Sequence, residues 1–167
     1  MHLPPKQLCR MAGVSELYAV EPLDFRRAAA LENGAKEAVS AVAAVEEITG
    51  GRGVDLVIEA TNSPRAMVDA VSAVRIGGRV VLVGIPDGNT YAPLDASVIR
   101  RKAVKIKTSR RMGDVYPRAI ELVANEQVDV ARLVTHEAEL TAAPDSFKSL
   151  AAFEDNVIKS VIRLMSP

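Results

Sequence analysis

The residue whose type and position point most directly to chemistry is Glu21, an acid that follows the short apolar segment 17–20. A carboxylate at the end of a parallel strand can accept hydrogen bonds from both hydroxyls of an adenosine ribose, and it repels a 2′-phosphate. Arg26 and Arg27 follow one helical turn later, where a guanidinium can lie along the ribose or the adenine. Each of these residues taken alone is more often a solvated surface charge. The hypothesis of a nucleotide site therefore depends on the elements around them.

Residues 53–86 predict the element that would position such a site, a βαβ unit. Residues 54–60 are apolar enough for a strand that is covered on both faces, as parallel strands are. An amphipathic helix follows, and Gly77 and Gly78 are predicted to end it before a second buried strand at 79–84. In parallel sheets ligands bind beyond the carboxyl ends of the strands. The residues at those two ends are Ala60, Thr61, Asn62, Gly84, Ile85 and Pro86.

The rest of the chain alternates helical and strand patterns, which predicts an α/β fold with a mainly parallel sheet. Segment 103–109 alternates apolar residues with Lys105 and Lys107, and this is typical of an edge strand with one solvated face. The other predicted helices begin at Pro5, Asp24, Asp114 and Pro144 or span 38–49, and the other predicted strands are 17–20, 133–140 and 156–164.

Three kinds of site are missing from the sequence pattern. Nothing before Leu8 supplies a strand followed by the Gly-x-Gly-x-x-Gly turn that cradles a pyrophosphate. His136 has no cysteine, carboxylate or second histidine at ligand spacing, and Cys9 is the only cysteine. The sequence also contains no Gly-x-Ser-x-Gly nucleophile elbow. We therefore predict no catalytic and no metal-binding residue in this chain.

The composition favours a small-molecule ligand over a polymer or a membrane. The chain has 167 residues, of which 49% are hydrophobic, and 21 basic residues balance 21 acidic ones. This balance provides no overall field for nucleic acid or for an anionic membrane surface. No apolar run reaches the length of a membrane span. The single cysteine excludes a disulfide framework and favours a reducing compartment, so we predict a cytoplasmic location.

The order of several motifs carries a family resemblance: AVEPLDFRRAAALENGA, GGRGVDLVIEATNSP, AVRIGGRVVLVGIP, RRKAVKIKTSRRMGDVYPRAIEL and LVTHEAEL. The chain resembles the C-terminal half of zinc-containing medium-chain dehydrogenases/reductases of the alcohol, sorbitol and threonine dehydrogenase type. The resemblance implies an α/β fold. In it, residues 1–132 form a Rossmann-like, doubly wound and mainly parallel sheet, which lacks its first strand and its glycine loop. The resemblance also implies that residues 133–167 form a strand–helix–strand segment returning toward a catalytic domain that is absent here.

For the site, the resemblance implies a set of NAD-binding positions. They are Glu21, Arg26, Ala60, Thr61, Val83, Gly84, Ile85, Ser109, Arg110 and Arg111. Glu21 falls on the family's acidic ribose-binding position and favours NAD over NADP. The sequence departs from the family where Asn62 follows Thr61 in place of a glycine. The family's zinc ligands have no counterpart among these residues, and segment 103–109 is the expected homodimer contact.

The function that the resemblance implies is NAD-linked oxidation of an alcohol or polyol by hydride transfer, and we expect the chain to be inactive by itself. One alternative is a non-enzymatic, truncated module that binds a nucleotide or dimerises. Another is a zinc-independent, quinone-reductase-like member of the same superfamily. Loss of the first strand would also leave the strands at 17–20 and 54–60 on either side of a gap. That gap must close by direct pairing, be filled by another segment, or leave exposed edges.

Overall fold

The computed structural model describes residues 4–110 and 113–164, so Arg111, one of the predicted cofactor contacts, lies outside the described residues. Helices and strands alternate along the chain as α1 (Pro4–Met11), β1 (Tyr18–Val20), α2 (Asp24–Glu32), β2 (Glu37–Val39), α3 (Ala43–Ile48), β3 (Val54–Glu59), α4 (Ala66–Ala73), β4 (Val74–Leu82), α5 (Ala96–Lys102), β5 (Lys105–Thr108), α6 (Tyr116–Ala124), β6 (His136–Glu139), α7 (Ala143–Ala152) and β7 (Ser160–Arg163). Short 3₁₀ turns lie at Asp87–Asn89, Ala131–Leu133, Leu140–Ala142 and Glu154–Asn156.

The strands form three parallel groups: β1 with β2, β3 with β4 and β5, and β6 with β7. In the middle group β4 is central and β5 lies at the edge, as the lysine alternation predicted. This arrangement confirms the predicted α/β, Rossmann-like fold with mainly parallel strands. In the part of the chain that the structure describes, β1 and β3 do not pair, so direct pairing does not close the gap between them.

One hydrophobic core holds the middle group of strands together. Helices α4 and α5 lie across one face of it, and the buried residues of this core are Ala70, Val71, Val74, Val80 and Leu82. Lys102 at the end of α5 donates hydrogen bonds from Nζ to the carbonyl oxygens of Val71, Ser72 and Val74, at 3.1, 2.6 and 2.9 Å. These bonds satisfy carbonyl groups at the C-terminus of α4, which have no partner inside the helix.

The C-terminal segment β6–α7–β7 is a strand–helix–strand unit, as predicted, and residues that precede its two strands pack against α2. Leu133 is buried against Ala29 of α2, and Ile158 packs beside them. At the other end of the chain, Gln7 of α1 donates from Nε2 to the carbonyl oxygen of Asp129 at 2.9 Å. Its Oε1 accepts from the Asp129 amide at 2.7 Å. Both contacts attach later parts of the chain to its first third.

The predicted helix over 38–49 is instead a strand followed by a shorter helix. Strand β2 takes Glu37–Val39 and pairs with β1, whereas α3 begins only at Ala43. The helical spacing of Val45 and Ile48 belongs to α3. A strand of three residues is too short to show an alternating pattern, and its pairing with β1 decides the conformation.

Gly77 and Gly78 do not end a helix, contrary to the prediction. Helix α4 already ends at Ala73, and β4 runs from Val74 through both glycines to Leu82. Gly77 has a φ of +70°, and the register with β3 shifts at this point. A Cβ on Gly78 would lie 2.5 Å from Cγ2 of Val74, so this irregular stretch of β4 needs a glycine there.

Candidate functional site

Glu21 lies at the carboxyl end of β1, where the chain turns into α2. Its amide donates to the carbonyl oxygen of Val39 at 2.9 Å, which continues the pairing of β1 with β2 by one residue. The side chain is only 5% exposed, and its Oε1 accepts a hydrogen bond from the Leu23 amide at 3.3 Å. A buried carboxylate at the end of a parallel strand is the arrangement that the sequence predicted for ribose recognition.

The two arginines after Glu21 have different surroundings. Arg27 donates from Nη1 to the carbonyl oxygens of Glu21 and Pro22 at 2.8 and 2.7 Å, and it also pairs with Asp24. Arg27 thus holds the turn between β1 and α2. The Arg26 guanidinium instead lies over two aromatic rings, those of Phe153 and Phe25. Only Arg26 is among the predicted cofactor contacts.

The carboxyl ends of β3 and β4 approach each other closely. The amides of Val83 and Gly84 both donate to the carbonyl oxygen of Glu59, at 2.8 and 3.2 Å. A Cβ on Gly84 would overlap the carbonyl oxygen of Thr61 and lie 2.7 Å from its amide nitrogen. Gly84 is therefore required for Thr61 and the end of β4 to pack together, and the structure brings these two predicted site residues into contact.

Glu59, at the end of β3, is another buried carboxylate besides Glu21, and it is 5% exposed. Its Oε1 accepts from the Thr61 amide at 2.5 Å, whereas Oε2 has no hydrogen-bond partner among the described residues. Tyr91 donates from its hydroxyl to the Gly84 carbonyl oxygen at 2.9 Å. Burial raises the pKa of Tyr91, and the charge of Glu59 raises it further. Through these hydrogen bonds, Glu59 stabilises the turn at Thr61 and Tyr91 stabilises the turn at Gly84.

The end of β5 completes the same edge. Glu59, Leu82 and Thr108 are in register across the three strands, so the residues that follow them leave the sheet at one edge. The Ser109 amide donates to the carbonyl oxygen of Leu82 at 2.8 Å, and Arg110 next to it is exposed. Of the predicted site residues, those after β3, β4 and β5 therefore share one edge, while Glu21 and Arg26 follow a strand of another group.

Three contributors to this region carried no clear sequence signal. Glu59 and Tyr91 were not predicted to support the site, although an acid at the last position of an apolar strand is itself unusual and is a usable signal. Phe153 lies far from Arg26 in sequence, in the turn after α7, and no local pattern connects the two residues. Their contact depends on how the C-terminal segment packs.

The residues that the structure describes do not fit a zinc site. Among residues 4–110 and 113–164, no group of three or more His, Cys, Asp or Glu side chains is placed to hold a metal ion. The Nδ1 atom of His136 lies 2.9 Å from the Oγ1 atom of Thr135. Burial raises the pKa of the Cys9 thiol, which disfavours the thiolate that binds metals. No helix within these residues is long and apolar enough to cross a membrane.

Comparison with known proteins identifies the family. Residues 6–125 match the family described as zinc-binding dehydrogenase. The chain belongs to this family. The match covers most of the chain and confirms the resemblance that the motifs carried. The predicted cofactor contacts stay predictions.

Three relatives show how the chain corresponds to longer proteins. The sorbitol dehydrogenase of Bacillus subtilis is 31% identical over 156 residues, which are 90% of this chain and 43% of that protein. An oxidoreductase/dehydrogenase of unknown specificity from Escherichia coli superposes with a TM-score of 0.86 at 27% identity, over 98% of this chain and 48% of that one. A zinc-binding dehydrogenase from Sinorhizobium meliloti, bound to NADP, superposes with a TM-score of 0.85 at 25% identity, over 97% and 49%. The chain thus spans about half the length of these relatives.

Proposed function

We propose that residues 1–132 form the dinucleotide-binding part of an NAD-dependent alcohol or polyol dehydrogenase, and that residues 133–167 belong to its catalytic domain. The observation that carries the proposal is the buried carboxylate of Glu21 at the carboxyl end of β1 in a chain of this family. The similarity to a sorbitol dehydrogenase supports the polyol branch over a quinone-reductase-like function. When bound, the nicotinamide ring supplies the group that accepts or donates a hydride.

In this proposal the residues at the strand ends divide the cofactor between them. Glu21 accepts hydrogen bonds from the ribose hydroxyls, and Arg26 flanks the same ribose. Ala60 and Thr61 contact the adenosine half. The nicotinamide half meets the residues that follow β4 and β5, which are Val83, Gly84, Ile85, Ser109, Arg110 and, outside the described residues, Arg111. The shared edge of β3, β4 and β5 supports this division.

Calorimetric titration of the purified chain with NAD and with NADP tests the proposal. We expect NAD to bind in the micromolar range and NADP more weakly, because the Glu21 carboxylate repels a 2′-phosphate. Glu21→Gln should weaken NAD binding and reduce the preference for NAD. The matched control is Glu47→Gln, since Glu47 is an exposed acid of α3. Absence of NAD binding to the unmodified chain would overturn the proposal.

We propose that a longer polypeptide, which contains these residues, carries out the oxidation of the alcohol. The 167 residues alone do not. The support for this is the length of the relatives, about twice that of this chain, together with the lack of fit of the described residues to zinc. The purified chain supplied with NAD, zinc and sorbitol should therefore produce no NADH. Zinc-dependent formation of NADH by the chain alone would contradict this.

A dimer through segment 103–109 is a further part of the proposal. Within the described residues β5 pairs only with β4, and all four of its residues are exposed, which leaves its other edge accessible to a second copy. Sedimentation velocity should then show a dimer, and a purely monomeric chain would exclude this contact. We also propose a cytoplasmic location, which the single cysteine of the sequence supports.

A further inference from the structure

Phe153 occupies an unusual backbone position at the end of α7. Its φ is +56°, in the left-handed region that aromatic residues rarely adopt, and Asp155 and Asn156 have φ values of +50° and +59°. Such a conformation costs free energy and persists only where the surrounding structure holds it. Phe153 is 47% exposed, so burial in a core does not account for its position.

The Arg26 guanidinium instead stacks on the Phe153 ring. The guanidinium carbon lies 4.6 Å from the centre of the Phe153 ring and 5.6 Å from that of Phe25, within the range of cation–π attraction. The Nε atom of Arg26 is buried and has no hydrogen-bond partner among the described residues. A guanidinium that stacks on a ring uses its face, and its N–H groups are directed sideways in the plane.

A second contact joins α2 to the C-terminal part of the chain that carries Phe153. Ala29 lies one helical turn after Arg26 on α2 and is buried against Leu133, with Ile158 packed beside them. Leu133 and Ile158 flank the strands of the C-terminal segment that carries Phe153. Packing of this segment on α2 therefore places the ring beside Arg26.

Resting on the proposed function, we propose that Phe153 is a positioning residue of the nucleotide site. It holds the Arg26 guanidinium on the helix that follows Glu21, so that the terminal N–H groups of Arg26 meet the adenosine ribose of NAD. The segment after α7 thus takes part in recognition of the adenosine half without touching the nucleotide. Loss of the ring would leave Arg26 free to rotate, and the binding of NAD would then have to order its side chain.

A double-mutant cycle on the full chain, with NAD affinity measured by calorimetry, tests this inference. Phe153→Leu should weaken NAD binding by about fivefold, as loss of one cation–π contact predicts. Arg26→Met, which keeps the length of the side chain, should weaken binding at least as much. Phe153→Leu should then have no further effect in the Arg26→Met background. Phe153→Tyr keeps an aromatic face and should retain the affinity of the unmodified chain.

The control is Phe147→Leu, because Phe147 lies on the same α7 segment and is 68% exposed. It should leave NAD affinity unchanged, and circular dichroism should show that all variants remain folded. Unchanged affinity in Phe153→Leu, additive losses in the double variant, or failure of Phe153→Tyr to retain binding would overturn the inference while the proposed function stands. An unmodified chain that does not bind NAD would overturn both.

Discussion

The two faces of the sheet β3–β4–β5 differ although the same three strands form them. One face carries Val57, Val80 and Leu82, lies under α4 and α5, and contains the fully buried residues of the core. On the other face the strand register aligns Leu56 and Ile58 with the exposed Arg79, Lys105 and Lys107, and Ile58 itself is 38% exposed. Apolar residues alone therefore do not predict burial here. What buries them is the helix that the chain places against the strand.

The largest expected effect is on the covered face. Val80→Ala should lower the free energy of unfolding by about 2–3 kcal/mol, because it removes buried methyl groups and leaves a cavity. Val80 is 0% exposed, whereas its neighbour Val81 points to the other face and is only partly buried. Val81→Ala should therefore cost about 1 kcal/mol or less, mainly through strand propensity. Urea denaturation measures both, and equal losses would contradict the comparison of the two faces.

A second prediction extends the comparison to the carboxyl edge, where the strands meet the candidate site. Gly84→Ala should destabilise the chain by about 1–3 kcal/mol, because the added Cβ overlaps the Thr61 backbone and forces the end of β4 to shift. Gly113→Ala is the control, since a Cβ there meets no atom within 4 Å. Thermal unfolding monitored by circular dichroism compares the two variants. A stable Gly84→Ala chain would show that this edge is more adaptable than the covered face.

Features that depend on local sequence patterns were predictable, whereas features that depend on contacts between distant residues were not. The locations of β3 and β5 and the position of Glu21 at a strand end follow from local patterns, because each depends on its own neighbours in the chain. The prediction that β3 is covered on both faces is wrong, since Leu56 and Ile58 are 40% and 38% exposed. The conformation of β2 does not, since its three residues take strand form through pairing with β1. The contact of Arg26 with Phe153 depends on how distant elements pack, which periodicity does not encode. The support of Thr61 by Glu59 is local, between residues two positions apart, but it depends on the turn after β3 and not on a periodic pattern.

The smallest expected effect concerns Asp55, at the amino end of β3 and away from the site edge. Hydrogen bonds from Arg52 and Arg75, at 2.8 and 2.5 Å, lower the pKa of Asp55 from 3.8 to about 2. Because the folded-state pKa is lowered, the stabilisation is present above pH 3.8 and is lost as the pH falls toward about 2. All three side chains are solvent-accessible, so added salt should weaken the effect.

Asp55→Asn should therefore flatten the pH dependence of unfolding between about pH 4 and about pH 2 and leave the rest of the profile unchanged. Urea denaturation at a series of pH values measures this. Because Asp55 contacts neither the covered core nor the carboxyl edge, NAD affinity near neutral pH should be the same in both chains. An unaltered acid limb would mean that the ion pairs do not form in solution. A loss of NAD affinity would mean that the amino and carboxyl ends of β3 are coupled, which the division of the sheet into separate regions does not predict.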